Sequence, residues 1–350
     1  MAMSATPSST AVPPDLVAVR PTSWWRLLLG VVLALSVPVV AQMRLLSPIE
    51  QTILFLVPVL AAAALASWVL GGKPWLFAAW GALAVWMLFG TEPAGGGGAF
   101  SALARGWVTV LAAAFGLVCI ANSRASFFPR ALAATGLTFA LMLFTLLAGQ
   151  GSVADAGRVI SAEMGRRLDV VQSEHAARSS LPEVQEFAQR FPAAAAMVEQ
   201  GEKQLPSITA GAIELFPALL ALESLALLAL GWTLYHRSSR TRIGPPLGLL
   251  CRFRFNDQLI WGVVLGVTLL VLPGLAELRA IGLNVAVFFG ALYALRGLGV
   301  IAWFLAPGRP APVLLILAAC LAGPVVGVFS VGLGLADTWI DWRGRLRPAT

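Results

Sequence analysis

Charge is scarce in this sequence. Asp, Glu, Lys and Arg make up 12% of 350 residues, while 58% are hydrophobic and the mean hydropathy is +0.83. A soluble domain carries roughly a quarter charged residues, so the composition excludes an ordinary water-soluble fold. Metal ligands are scarce too. There are two histidines, His175 and His236, and three cysteines, Cys119, Cys251 and Cys320, at spacings that fit neither a metal centre nor a disulfide framework. No HExxH, GxSxG, Walker A or dinucleotide loop occurs. The expectation is a protein that is not an enzyme and needs no cofactor. The net charge of +7 is spread over short segments between apolar runs, which argues against nucleic acid and for topology determinants.

Long apolar runs are what the chain has. Nine candidates approach the roughly 20 residues a bilayer requires: Trp24–Met43, Thr52–Leu70, Pro74–Gly90, Gly106–Ala121, Ala131–Leu147, Ile208–Tyr235, Leu259–Leu278, Ile281–Ala306 and Val313–Ala336. The expected fold is an all-α polytopic transmembrane bundle. Residues 1–23 read as a disordered cytoplasmic tail, 24–149 as a five-helix membrane region, 150–206 as an extracytoplasmic loop, 207–343 as a four-helix membrane region and 344–350 as a tail. Lipid is the obligatory partner.

Arginine sets the orientation. Arg237, Arg240, Arg242, Arg252 and Arg254 crowd one short loop, which the positive-inside rule places in the cytoplasm. Counting backwards puts the N-terminus there as well, in a bacterial inner membrane. Nine crossings would leave Arg343, Arg345 and Arg347 outside, against the rule. A re-entrant late segment, giving eight crossings, is the alternative.

Gly151–Leu205 has eight acidic and six basic residues and no spanning run. Ile160, Met164, Leu168 and Val171 form one helical stripe, and Val184, Phe187, Phe191 and Val198 a second, interrupted at Pro192. Two amphipathic helices outside the membrane follow, as a cap on the membrane surface or over the bundle, or as a lid or partner-binding element.

Three residues are candidates for a polar site. Arg296 lies deep in Ile281–Ala306, where a charge needs a partner, a cavity or water. Glu223, about 15 residues into Ile208–Tyr235, has the same reckoned depth and is the expected counterion. Asn284 falls at the depth of Glu214, nearer the outer surface, and Pro217 could kink the helix between the glutamates. The group is either a buried ion pair that fixes register or the lining of a solute pocket. The glycine pairs Gly262/Gly266 and Gly323/Gly327 suggest close helix packing. Asp337 and Asp341, around Trp339, read as an interfacial anchor.

Three stretches carry a resemblance: FRFNDQLIW at Phe253–Trp261, NVAVFFGALYALRGLGVIAWF at Asn284–Phe304 and GLGLADTWIDWR at Gly332–Arg343. Together they resemble the YybS-like family of bacterial inner-membrane proteins. That resemblance implies a fold-level analogy with the substrate-capturing membrane subunits of energy-coupling-factor importers. Two functions are therefore expected in competition: capture or transport of a small solute at Arg296, Glu223 and Asn284, or a non-catalytic membrane scaffold that binds other membrane proteins.

Overall fold

The computed structural model describes residues 49–90, 98–149, 151–239, 242–304 and 311–345, with backbone alone for 49–50 and 311–324. The run Trp24–Met43 and the tail 1–23 lie outside the described residues. Every regular element described is helical. Lipid offers no partner for backbone N–H and C=O groups, so each apolar run satisfies them internally as a helix.

The first apolar helices in chain order are α1 (Ile49–Val69), α2 (Pro74–Phe89), α3 (Gly98–Ala121) and α4 (Phe127–Ala148). A second group follows: α5 (Val153–Ser179), α6 (Pro182–Arg190), α7 (Pro192–Lys203) and α8 (Leu205–Glu214). The chain then returns through α9 (Phe216–Ser238), α10 (Ile260–Val271), α11 (Arg279–Phe304) and α12 (Ala311–Ile340). Among the described residues, α1, α3, α4, α9 and the segment from Pro273 to Phe304 are long and apolar enough to cross a membrane. The helix at Pro74–Phe89 and the apolar segments Asp257–Val271 and Val325–Ile340 are shorter.

Helix α1 is the axis of the bundle. Its alanines, Ala62, Ala63, Ala64 and Ala66, are buried and leave room for neighbouring backbones. Gly116 of α3 faces Ala62, and Gly231 of α9 faces Val59. The core between them is Val59, Leu60, Leu111, Phe115, Leu228 and Trp232. Trp232 packs edge-on against Phe115 with ring centroids 6.0 Å apart.

Two expected spans are broken. Ile208–Tyr235 divides at Leu215, between α8 and α9, just before Pro217. Leu259–Leu278 ends as an α-helix at Val271 and continues from Pro273 to Leu278 as a 3-10 turn. In both, proline removes a backbone donor and stops the ladder. Helix α10 runs antiparallel to α11, with Gly262 against the Phe289 ring, Gly266 against the Ala286 backbone and Leu269 against Gly282.

Helix α9 gives the bundle two ends. At its start lie α5 and α8, a cap whose Glu163, Met164 and Val171 are buried. At its finish lies the arginine-rich loop. Arg343 donates from Nη1 to the carbonyls of Cys251 (3.1 Å) and Phe253 (2.9 Å), and Arg254 pairs with Asp341. The C-terminal arginine therefore sits at the same end as the arginine loop, as the positive-inside rule wants. Nine crossings had put it at the opposite end.

Candidate functional site

Arg296 is 3% exposed, and each of its guanidinium nitrogens has an acceptor. Its Nε donates to Asp337 Oδ2 at 2.9 Å, its Nη2 to the Asp337 carbonyl at 3.3 Å, and its Nη1 to Asp257 Oδ1 at 2.6 Å. The guanidinium also lies 5.4 Å from the centroid of the Phe255 ring. Asp337 Oδ2 takes a second cation, Arg343 Nη2, at 2.6 Å. The result is an Arg–Asp–Arg bridge in which the Asp337 side chain is wholly buried, while the Asp257 side chain is 60% exposed. Burying two charges together costs several kcal/mol each before their attraction offsets it. The shared carboxylate and the extra carbonyl acceptors supply part of that offset, while Asp337 Oδ1 and Arg343 Nε are buried without a hydrogen-bond partner.

Next to Arg296, α11 and α12 meet backbone to backbone. Gly297 of α11 lies against the Ser330 carbonyl of α12, and Gly334 of α12 lies against the Tyr293 carbonyl. No Cβ fits at either position. Gly299 similarly admits the Leu250 carbonyl, which a Cβ would meet at 2.6 Å. These three contacts bring α11, α12 and the loop 250–257 close enough for one carboxylate to bridge two arginines.

The structure does not bring Arg296, Glu223 and Asn284 together. Glu223 Oε2 accepts from Gln51 Nε2 at 3.1 Å, and Gln51 Oε1 accepts from Arg167 Nη2 at 3.2 Å. Glu223 thus belongs to the cap end, where α5 docks on α1. The expected Glu223–Arg296 pair is corrected for a geometric reason. Depth was counted along one unbroken helix, but α9 begins only at Phe216. From the level where Ala218 meets Asn284, five residues put Glu223 about 8 Å along α9, whereas twelve put Arg296 about 18 Å along α11.

Asn284 does something else again. Its Nδ2 donates to the Glu214 and Ala280 carbonyls, each at 2.9 Å, and its Oδ1 accepts from Ala218 N at 2.9 Å. One side chain satisfies an acceptor and a donor left orphaned where α8 stops and α9 starts. It is a clip across the break.

The cap is fastened by a third polar group. Glu163, buried in α5, accepts from Arg166 through Nε (2.9 Å) and Nη2 (2.8 Å) and from Arg167 Nε (2.9 Å). The Arg167 guanidinium lies 4.9 Å from the Phe100 ring centroid of α3. Burial pushes the Glu163 carboxyl up, but hydrogen bonds from and charges on Arg166 and Arg167 outweigh it, and the net shift is downward.

Asp337 was not anticipated as the counterion, because nine crossings placed it at the far end. The signal was available: an acid within an apolar helix, as costly as Arg296 itself. Among the described residues, no group of three or more His, Cys, Asp or Glu side chains could hold a metal ion.

A family model described as predicted membrane protein (DUF2232) matches residues 39–338. The chain belongs to that family. The DUF2232 match takes in Asp257, Arg296 and Asp337, and so most of the buried bridge. No curated protein and no solved structure matches the chain.

Proposed function

We propose that this DUF2232 membrane protein is a non-catalytic scaffold of the bacterial cytoplasmic membrane that binds another envelope protein through α6 and α7. The carrying observation is the apolar face these helices expose. Phe187 and Phe191 are each 50% exposed, with ring centroids 5.1 Å apart, and Val184 and Val198 flank them. The bundle covers the first stripe of the cap, at Met164 and Val171, but leaves this second one uncovered. The pairing of Arg296 supports the same reading, since each of its guanidinium nitrogens already has an acceptor in the chain. In this assignment the arginine end and the N-terminus face the cytoplasm, the cap lies outside, and the YybS-like resemblance is a finer placement within the family.

The test is site-specific photocrosslinking from Phe187 in the full chain, in cells. A discrete protein adduct that disappears on Phe191→Ser is expected. No adduct from Phe187 or Val198 would overturn the scaffold reading.

Capture of a small solute is the second reading, favoured by the helix breaks at Leu215 and Leu272 near Asn284. Discontinuous helices of this kind line the binding sites of many transporters. It requires thermal stabilisation of the purified chain by a metabolite, lost in Asn284→Ala.

A further inference from the structure

Arg130 of α4 is 1% exposed and has no carboxylate partner among the described residues. Its Nη2 donates to the Ser123 carbonyl at 2.7 Å and to that of Ala125, closing the turn after α3. Its Nε and Nη1 are buried without a hydrogen-bond partner. The guanidinium stands 5.2 Å from the Trp232 ring centroid, and Gly244, at φ +62°, passes directly over Nη2. A side chain at Gly244 would collide with it. The coil from Arg242 to Leu249 is therefore a strap laid across a cation with two idle donors.

The surroundings add positive charge. Arg124, Arg242 and Arg252 are exposed at this same end and make no ion pair with a described residue. Arg242 and Arg130 both lie within electrostatic reach of His236. Phe128, two residues before Arg130, packs on Phe253 at 5.3 Å and brings the Arg252 turn alongside. The acids here are already committed: Asp257 to Arg296, Asp337 to Arg296 and Arg343, and Asp341 to Arg254. Beside these arginines, Leu247, Leu249 and Leu250 are exposed. Unpaired arginines next to exposed leucines at the end of a membrane bundle match the two parts of an anionic lipid, headgroup and acyl chain.

We infer that the strap Arg242–Leu249 and the arginines 124, 130 and 242 form a binding site for an anionic phospholipid. The phosphate engages Arg124 and Arg242 at the rim and the idle donors of Arg130 beneath the strap. Leu247, Leu249 and Leu250 contact the acyl region. Free phosphate shares the headgroup chemistry but offers the leucines nothing.

The test uses the full chain purified in a neutral detergent. Phosphatidylglycerol, phosphatidylcholine and inorganic phosphate are titrated separately, with thermal unfolding and native mass spectrometry as readouts. Phosphatidylglycerol alone should raise the unfolding midpoint and survive as a bound adduct. The double variant Arg124→Gln/Arg242→Gln alters only exposed side chains and should fold, and it should weaken phosphatidylglycerol binding by roughly tenfold or more. Arg130→Gln should do the same where it folds. Equal responses to phosphatidylglycerol and phosphatidylcholine, a wild-type response in the double variant, or a phosphate effect matching that of the lipid would each overturn the assignment.

Discussion

Arg296 and Asp337, on different helices, meet with Nε 2.9 Å from Oδ2, and neither side chain is accessible to solvent beyond 3%. That pair is the middle of a chain of charges from Asp257 through Arg296 and Asp337 to Arg343. It joins α11, the end of α12 and the loop 250–257 into one unit. The intramembrane arginine is thus paired within its own chain, and its role in the geometry is to hold the arginine end together.

Removing Asp337 leaves two buried cations without their shared acceptor. Breaking a buried pair by deleting one partner costs about 3–5 kcal/mol, whereas replacing both partners with apolar residues is often neutral. Asp337→Ala should therefore lower the unfolding midpoint in detergent sharply. Arg296→Met with Asp337→Leu should recover part of the loss, although Arg343 still lacks its acceptor. Glu223→Gln should add to Arg296→Met without coupling, because Glu223 bonds Gln51 at the cap while Arg296 bonds Asp257 and Asp337. A coupling as large as that between Arg296 and Asp337 would contradict the separation.

Asn284 makes three hydrogen bonds across the break at Leu215. Asn284→Leu keeps the bulk and strands the N–H of buried Ala218, while the exposed Glu214 carbonyl loses a partner at less cost. A stranded buried group costs about 1–3 kcal/mol. Hydrogen exchange should accelerate at the α8–α9 junction first, while the arginine end keeps its protection. Uniform loss of protection across the bundle would show that Asn284 is not a local clip.

The helices were legible because lipid leaves an apolar run no other regular structure. The Phe127–Ala148 and Ile49–Val69 helices begin and end within a few residues of their apolar runs. The buried bridge was less legible. Choosing a counterion by depth needs unbroken helices and a correct count of crossings. The break at Leu215 misplaced Glu223, and the nine-crossing count misplaced Asp337. Glycine spacing was equally ambiguous: Gly262 and Gly266 do meet α11, but Gly327 has open space around it. The surroundings of Gly323 lie outside the described residues, and the tight glycine among the described ones of α12 is Gly334, which belonged to neither of the expected pairs.

Glu163 gives the cap a pH dependence. Its folded carboxyl titrates below the ordinary value of 4.5, because Arg166 and Arg167 favour the charged form more than burial opposes it. A depressed folded pKa means the contribution is fully present above the unfolded value. It is lost as pH falls from about 4.5 through the folded value. Limited proteolysis of α5 should therefore accelerate below that pH, while Glu163→Gln should be weaker at neutral pH and show little further change in acid. An acid response unchanged in Glu163→Gln would place the titrating group elsewhere.

The close crossing of α11 and α12 separates glycines that matter from glycines that do not. A Cβ at Gly297 would fall on the Ser330 carbonyl and one at Gly334 on the Tyr293 carbonyl, and backbone cannot swing aside as a side chain can. Gly290 and Gly332 lie on the same two helices with nothing within 4 Å. Alanine at Gly290 or Gly332 should be neutral or stabilising by up to about 1 kcal/mol, from helix propensity alone. Alanine at Gly297 or Gly334 should destabilise by about 1–3 kcal/mol, the usual cost of overpacking. The same two substitutions push α11 from α12 and lengthen the Arg296–Asp337 bond, so their cost should shrink once that pair is already replaced by Met and Leu. If all four alanines behave alike in thermal unfolding, the backbone contact does not position the bridge.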